Sequence, residues 1–399
     1  MSRSLLFALS LGLLAGPALA HHGFGTFDLT QSVTFEDAVL VEVDFINPHS
    51  WMYFDVIDEK GEAQRHRCEM RSAHVLRRSG WSPELFPVGA VVTIEAAPDR
   101  ADERSCYLNT IRFADGGHMD RYGQYVKGEG GDLEEVRGAI NVPDVRRRAR
   151  RMPSGAPYLG GDWAAEQVVM ADPRGAGGGL VPLSRLDEID SGEGSQGRAG
   201  GGRGGGRGGG GRGRGGDGPR LYNGTALTAR GERDAAAFER MDNPRFSCET
   251  TSIVFDWTFD GPVNRIIQGN DKIIIRYGQM NLERVVRMNM TEHPDDITPS
   301  RAGHSIGHWE GDVLVVDTVG FAPGVLNAPV RHSNQLHVVE RFELNPETLE
   351  LTRSYVAEDP VYLQGQYTGS DRILPGNAQY APDDCEELGF IDFSEEVAP

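Results

Sequence analysis

The chain has 399 residues, a net charge of -19 and four cysteines. That length suits two domains of ordinary size plus connecting segments. The acidity argues against nucleic acid, whose phosphates require clustered Lys and Arg, and against anionic membrane surfaces.

The first twenty residues read as a secretory signal rather than as structure. Arg3 gives a short basic start, residues 5–15 an apolar run, and Ala18-Leu19-Ala20 a small-x-small cleavage site. No later stretch approaches the roughly 20 apolar residues of a membrane helix. The expectation is therefore a periplasmic or secreted chain with no transmembrane segment, starting near His21. Such a compartment is oxidising, which makes disulfides the default for an even cysteine count. Of the three pairings open to Cys68, Cys106, Cys248 and Cys385, Cys68–Cys106 and Cys248–Cys385 keep each bond within one half of the chain.

Residues 21–120 read as five short strands and one helix. Strands are expected at 39–45, 51–56, 63–69, 91–96 and 108–113, with a turn at Asp58-Glu59-Lys60-Gly61 and a helix opened by Ser72 and stopped near Gly80. The order β-β-β-α-β-β matches a small five-stranded barrel of the oligonucleotide/oligosaccharide-binding (OB) type. In that topology the third and fifth strands can lie together, which would bring Cys68 near Cys106.

Residues 121–157 read as a connector ending in the basic run 146–151, a solvated linker more than an anion site. Residues 175–218 are dominated by Gly with interspersed Arg and are expected to stay disordered. Arg-Gly-Gly repeats bind RNA inside cells, but export argues against that partner here. Because Gly161-Asp162-Trp163 precedes it, the stretch reads as an insertion within a second domain spanning 158–390.

From Thr225 a helix over 226–241 is followed by strands at 263–268, 272–277, 282–288, 305–309, 313–319, 336–344, 348–356 and 361–368. The joints Gly269-Asn270-Asp271, Glu310-Gly311-Asp312 and Asn345-Pro346-Glu347 carry hairpin chemistry. The pattern is an antiparallel meander, hence a barrel or sandwich, and Gly161-x-Trp163 ahead of it is similar to the opening of lipocalin barrels. Trp257 and Trp309 read as barrel packing.

Three groups of residues could carry chemistry. Cleavage after Ala20 would expose His21 and His22; a terminal histidine binds metal through its amine and ring Nδ1, and a third imidazole completes a T-shaped site. Such ligands suit Cu(II), which heads the divalent affinity order. His49 is the candidate third ligand, with His66 and His74 in reserve. Cleavage after Ala18 would instead leave Leu19-Ala20-His21, which also holds Cu(II). Second, Gly303-His304-Ser305-Ile306-Gly307 spells the G-x-S-x-G nucleophile elbow, with Asp317 and His337 following in triad order; the elbow needs strand–turn–helix, and the flanking sequence reads as hairpin. Third, His304 and His308 are four apart, which on a strand separates them by roughly 13 Å and argues against a shared metal.

His21-His22-Gly23-Phe24, Phe27-Asp28, Asn47-Pro48-His49, Leu76-Arg77-Arg78-Ser79-Gly80-Trp81 and Val91-Val92-Thr93 resemble an exported family, domain of unknown function 6152, over about 21–120. Gly23 stands where that family usually has serine. GHSIGHWEGDVLVVDTVGF at 303–321, with His332, His337, Glu340-Arg341 and a late cysteine, resembles a second uncharacterised exported family over roughly 158–390. Neither resemblance implies an activity. The leading expectation is an exported binding protein with a copper-capable histidine cluster and a barrel for a small organic ligand. The alternatives are a secreted enzyme, copper oxidase-like or built on Ser305, and an envelope interaction module.

Overall fold

In a computed structural model the described residues are 27–79, 81–114, 116–121, 125–126, 148–170, 180–182, 220–239, 242–258 and 261–385. Residues 1–20, which the sequence suggests are a secretory signal, together with His21, His22 and most of the glycine-rich stretch, lie outside them.

The N-terminal part is a closed five-stranded barrel. Its strands are β1 (Val33–Asp44), β2 (Trp51–Ile57), β3 (Ala63–Glu69), β4 (Val91–Pro98) and β5 (Ser105–Phe113), joined in the order β1–β2–β3–β5–β4 and back to β1. Only the β3–β5 contact is parallel, as an OB topology requires. The twelve residues of β1 serve both neighbours because its register shifts at two places, between Phe35 and Ala38 and between Leu40 and Glu42. Such bulges bend a strand enough to close a small barrel. Helix α1 (Ala73–Arg78) is capped by the Ser72 hydroxyl, which accepts from the Val75 N–H. It buries Ala73 and Leu76 in the same core as Trp81 and Phe86. Cys68 and Cys106 are register partners and are disulfide-bonded. Two short strands, β6 (His118–Asp120) and β7 (Tyr125–Val126), extend the sheet beyond β5.

The second part is a barrel of nine strands, not a sandwich. Its strands are β8 (Gly161–Ala164), β11 (Val263–Gln268), β12 (Lys272–Arg276), β13 (Glu283–Arg287), β14 (His304–Glu310), β15 (Val313–Val319), β18 (His337–Leu344), β19 (Leu351–Glu358) and β20 (Tyr367–Pro375). They close in chain order, with β8 seated between β20 and β11. The one parallel pairing in the ring, β13–β14, follows from the long crossing of residues 288–303. The turn at Glu310-Gly311-Asp312 depends on Gly311, whose φ of +61° is left-handed. Two small hairpins lie outside the ring: β9 (Val168–Met170) with β10 (Leu180–Pro182), and β16 (Gly324–Asn327) with β17 (Val330–His332). Helix α2 (Ala229–Ala236) is shorter than its sequence pattern suggested.

Three expectations need correction. The stretch 175–218 contributes β10, where Leu180, Val181 and Pro182 interrupt its glycine-rich run. The basic run is not wholly a solvated linker. The Arg148 guanidinium lies 3.8 Å from the centre of the Trp163 ring and donates to Gly160 O, and Arg151 pairs with Asp312 at 2.6 Å. The last strand begins at Tyr367, since residues 359–363 form a turn held by Asp359 instead.

The barrel interior is filled. Trp257 packs edge-on against Tyr277 and Phe342 with ring centres 5.6 Å apart in both pairs. Beside them lies a polar network: Glu340, fully buried, bridges the fully buried Arg284 (2.5 Å) and Arg353 (3.1 Å), and Arg353 also pairs with the partly exposed Asp371. Arg353 further donates to the carbonyls of Ile253 and Val254, at 2.9 and 2.8 Å, so residues 251–257 act as a plug. Burial opposes the charge on Arg284 and Arg353, but their carboxylate partners more than offset it, so both guanidinium pKa values rise. Removing one partner of a buried pair strands the rest. Glu340→Ala is expected to lower unfolding free energy by about 3–5 kcal/mol, while Glu343→Ala on the outer face should stay within about 0.5 kcal/mol. Urea unfolding followed by tryptophan fluorescence measures both, and equal midpoints would refute the assignment.

Candidate functional site

The outer wall of the small barrel holds the strongest arrangement for binding. Inward residues Cys68 and Cys106 belong to the core, so their successors Glu69 and Tyr107 face outward, side by side on β3 and β5. Glu69 is 6% exposed, and its Oε1 lies 2.7 Å from His49 Nδ1. A buried carboxylate at hydrogen-bond distance from Nδ1 fixes the orientation of the His49 ring, the arrangement that outer carboxylates give to metal-binding imidazoles. On the other side of Glu69, the Tyr107 ring is covered by Phe27 at 5.4 Å between centres. Phe27 is bridged to Asp99, just past the end of β4.

The loop carrying His49 is fixed from outside. Asn47, 2% exposed, donates from Nδ2 to Asp384 Oδ1 at 2.7 Å and accepts the His74 backbone N–H on Oδ1. The Ser50 backbone N–H donates to Arg71 O and its carbonyl accepts from the Met70 N–H, just past the end of β3.

The two reserve histidines sit elsewhere. His66 is stacked on Phe54 at 5.7 Å and packs against Phe35, and burial pushes its pKa down. His74 Nε2 meets Asp383 Oδ1 at 3.2 Å, across the junction between the barrels. Neither shares a hydrogen-bond partner with His49.

The large barrel separates the three residues that the sequence set in triad order. Ser305 is fully buried, where its hydroxyl accepts from Arg284 Nε at 2.8 Å and lies 2.9 Å from Thr318 Oγ1. Asp317 and His337 meet on the outer face, with His337 Nε2 at 3.0 Å from Asp317 Oδ1. The wall of the barrel stands between the serine and its supposed partners. Ser305 also lies within strand β14 rather than on a strand-to-helix turn, so the elbow geometry is absent. The outer pair instead recruits two other histidines: His293 Nε2 meets Asp317 Oδ1 at 3.0 Å, and His293 Nδ1 meets His304 Nδ1 at 2.8 Å. His308 points to Glu310, apart from this group, as strand spacing predicts.

Among the described residues no group of three or more His, Cys, Asp or Glu is arranged to hold a metal ion. Nor is any described helix long and apolar enough to cross a membrane. Sequence reasoning missed Glu69 and His293. A clue to Glu69 existed, an acid placed directly after a core cysteine at the end of a strand; His293 sits in a polar turn-like stretch that gives none.

A buried serine whose oxygen already serves an arginine cannot attack an acyl group. The folded protein is expected to leave a fluorophosphonate probe unreacted at Ser305, read by peptide mass spectrometry; stoichiometric labelling there would contradict the buried placement.

Comparison with curated proteins and with solved structures gives no match for this chain. The second family resemblance, drawn for residues 158–390, is not confirmed. Residues 10–107, which include His49, Glu69 and both cysteines of the first disulfide, match the family of unknown function (DUF6152).

Proposed function

We propose that this is an exported binding protein for a copper-class divalent ion, held by the terminal amine and ring of His21 together with His49 after signal cleavage. The observation that carries the reading is the His49–Glu69 pair: a ring oriented through Nδ1 by a buried carboxylate, which leaves Nε2 as the nitrogen to meet a metal. The placement of Phe27 against Tyr107 supports it. From Phe27 the row passes over Tyr107 and Glu69 to His49, on strands about 4.8 Å apart. The six residues from His21 to Phe27 can span about 20 Å. His22 lies within the same reach. Neutral imidazole and amine nitrogens are the donors that Cu(II) prefers.

The interior of the large barrel offers less to a small organic ligand, because its own tryptophan, tyrosine and arginine side chains occupy it. That domain is read here as the part that fixes the His49 loop.

Titration of the exported, correctly processed protein against a chelator of known copper affinity tests the proposal. One equivalent of Cu(II) should bind with nitrogen hyperfine structure in its electron paramagnetic spectrum. Glu69→Gln should weaken binding about 10- to 100-fold, and His49→Ala or an extra residue ahead of His21 should weaken it further. Undiminished binding by His49→Ala would sink the idea.

A further inference from the structure

The two disulfides stand in different surroundings. Cys68 and Cys106 are 0% and 1% exposed and belong to the core of the small barrel. Cys248 and Cys385 are only half-buried, and both lie outside the ring of strands of the second barrel. A disulfide is opened by a thiolate that reaches one of its sulfurs, so access decides which bond can react. The first bond is closed to that attack while the barrel is folded, and the second is not.

The strap that leads to Cys385 is stitched down unevenly. Gly376 donates to Asp162 O, Asn377 bonds Arg78 and Gln167, and the Tyr380 N–H reaches Asp162 Oδ2. Asp383 is held most firmly. Its carboxylate meets the Met280 N–H and His74, and its backbone exchanges two bonds of 2.7 Å with the Asn281 side chain. Beyond it the hold changes. Asp384 accepts from Asn47 Nδ2 at 2.7 Å, and Cys385 forms a bridge with Asn47. The other contact of Asp384, with Arg77 at 3.5 Å, joins two exposed groups and contributes little. The covalent bond to Cys248 is what keeps 384–385 against Asn47.

Asn47 in turn governs the turn that carries His49. Ile46 O accepts from the Ala73 N–H and the Ser50 N–H donates to Arg71 O, which fixes both ends. Between them Asn47 is buried, with Oδ1 on the His74 N–H and Nδ2 on Asp384. When Asp384 leaves, a buried amide loses its acceptor. That state costs free energy, and moving the turn toward water relieves it.

We infer that Cys248–Cys385 is a thiol-exchange site for a dithiol reductant, and that opening it detaches 384–385 from Asn47 and loosens residues 47–49 while both barrels stay closed. A thiolate of the reductant attacks one sulfur, forms a mixed disulfide and expels the other cysteine as a thiolate. The second thiol of the reductant then attacks the mixed disulfide. The reductant departs as its own disulfide, and two electrons with two thiol protons pass to Cys248 and Cys385. The turn Pro244–Ser247 does not rely on the bond, since the Cys248 N–H still donates to Arg245 O at 3.3 Å. Asp383 keeps its own partners. The change is confined to the end of the strap and the turn it touches, with or without a metal on His49.

Metal-free whole protein treated with dithiothreitol, then alkylated and digested for mass spectrometry, tests the site. Cys248 and Cys385 should be alkylated while Cys68 and Cys106 stay bonded. In NMR the Asn47 side-chain amide protons should exchange with solvent at least about 10-fold faster after reduction, with the signals of the barrel strands unchanged. Reoxidation should restore slow exchange in the same sample. A Cys248→Ser, Cys385→Ser double variant should exchange fast without reductant and ignore its addition. Equal reduction of the two disulfides would overturn the proposal, as would opening of the second bond only when the barrel signals are lost. Selective reduction that leaves the Asn47 amide exchange unchanged would overturn it too.

Discussion

Glu340, between Arg284 and Arg353, sets the terms for the whole second barrel. Three charges sit side by side without water, and Asp371 closes the set against Arg353. Charges so placed are tolerated only where each meets an opposite partner and its remaining donors find acceptors. That need draws in Ser305, Thr318, Tyr277 and the carbonyls of Ile253 and Val254. The Tyr277 hydroxyl, buried among them, has its pKa pushed up to about 12 and stays a neutral partner. A lumen used in this way has its polar groups turned on one another.

The same barrel fixes part of the smaller one. Residues 376–385 run from β20 to the junction with the OB-type domain, where Asp383 accepts from the Met280 N–H of the large barrel at 2.7 Å and contacts His74, and Asp384 accepts from Asn47. Cys385 is tied back to Cys248, which anchors the end of this strap. At the other side of the junction Arg78, buried and with its pKa lowered by that burial to about 10, donates to Ala165 O, Gly261 O and Asn377 Oδ1. Asn47 lies two residues before His49. The position of the His49 loop therefore depends on a disulfide in the other domain, so an oxidising compartment matters to the site as well as to stability.

Much of this was legible in the residues. The OB order, the capped helix at Ser72 and both cysteine pairs followed from spacing and turn chemistry, because each is a local or topological constraint. The strands β11, β15 and β18 were equally plain from hydrophobic runs and their turns. What escaped was set by tertiary partners. Arg148 looks like one of several linker arginines until Trp163 lies beneath it. Arg284 and Glu340 look like surface residues of alternating strands, since periodicity marks which side a residue faces and not which side is the core. His293 carries no signal at all until β15 and β18 bring Asp317 and His337 under it.

One register decides which of these residues can act together. The turn at Gly311 pairs His304 with Val319 and Ser305 with Thr318, so along β14 and β15 successive residues alternate between lumen and surface. Ser305 and Thr318 fall inward to Arg284; His304 and Asp317 fall outward, two pairs apart on the ladder, where His293 can join them. A slip of one residue at that turn would exchange the sets, burying a carboxylate and a histidine without partners and exposing the hydroxyls that Arg284 needs. The ion network inside and the proton-sharing cluster outside are thus two consequences of a single pairing. Neither can be altered in register without losing the other.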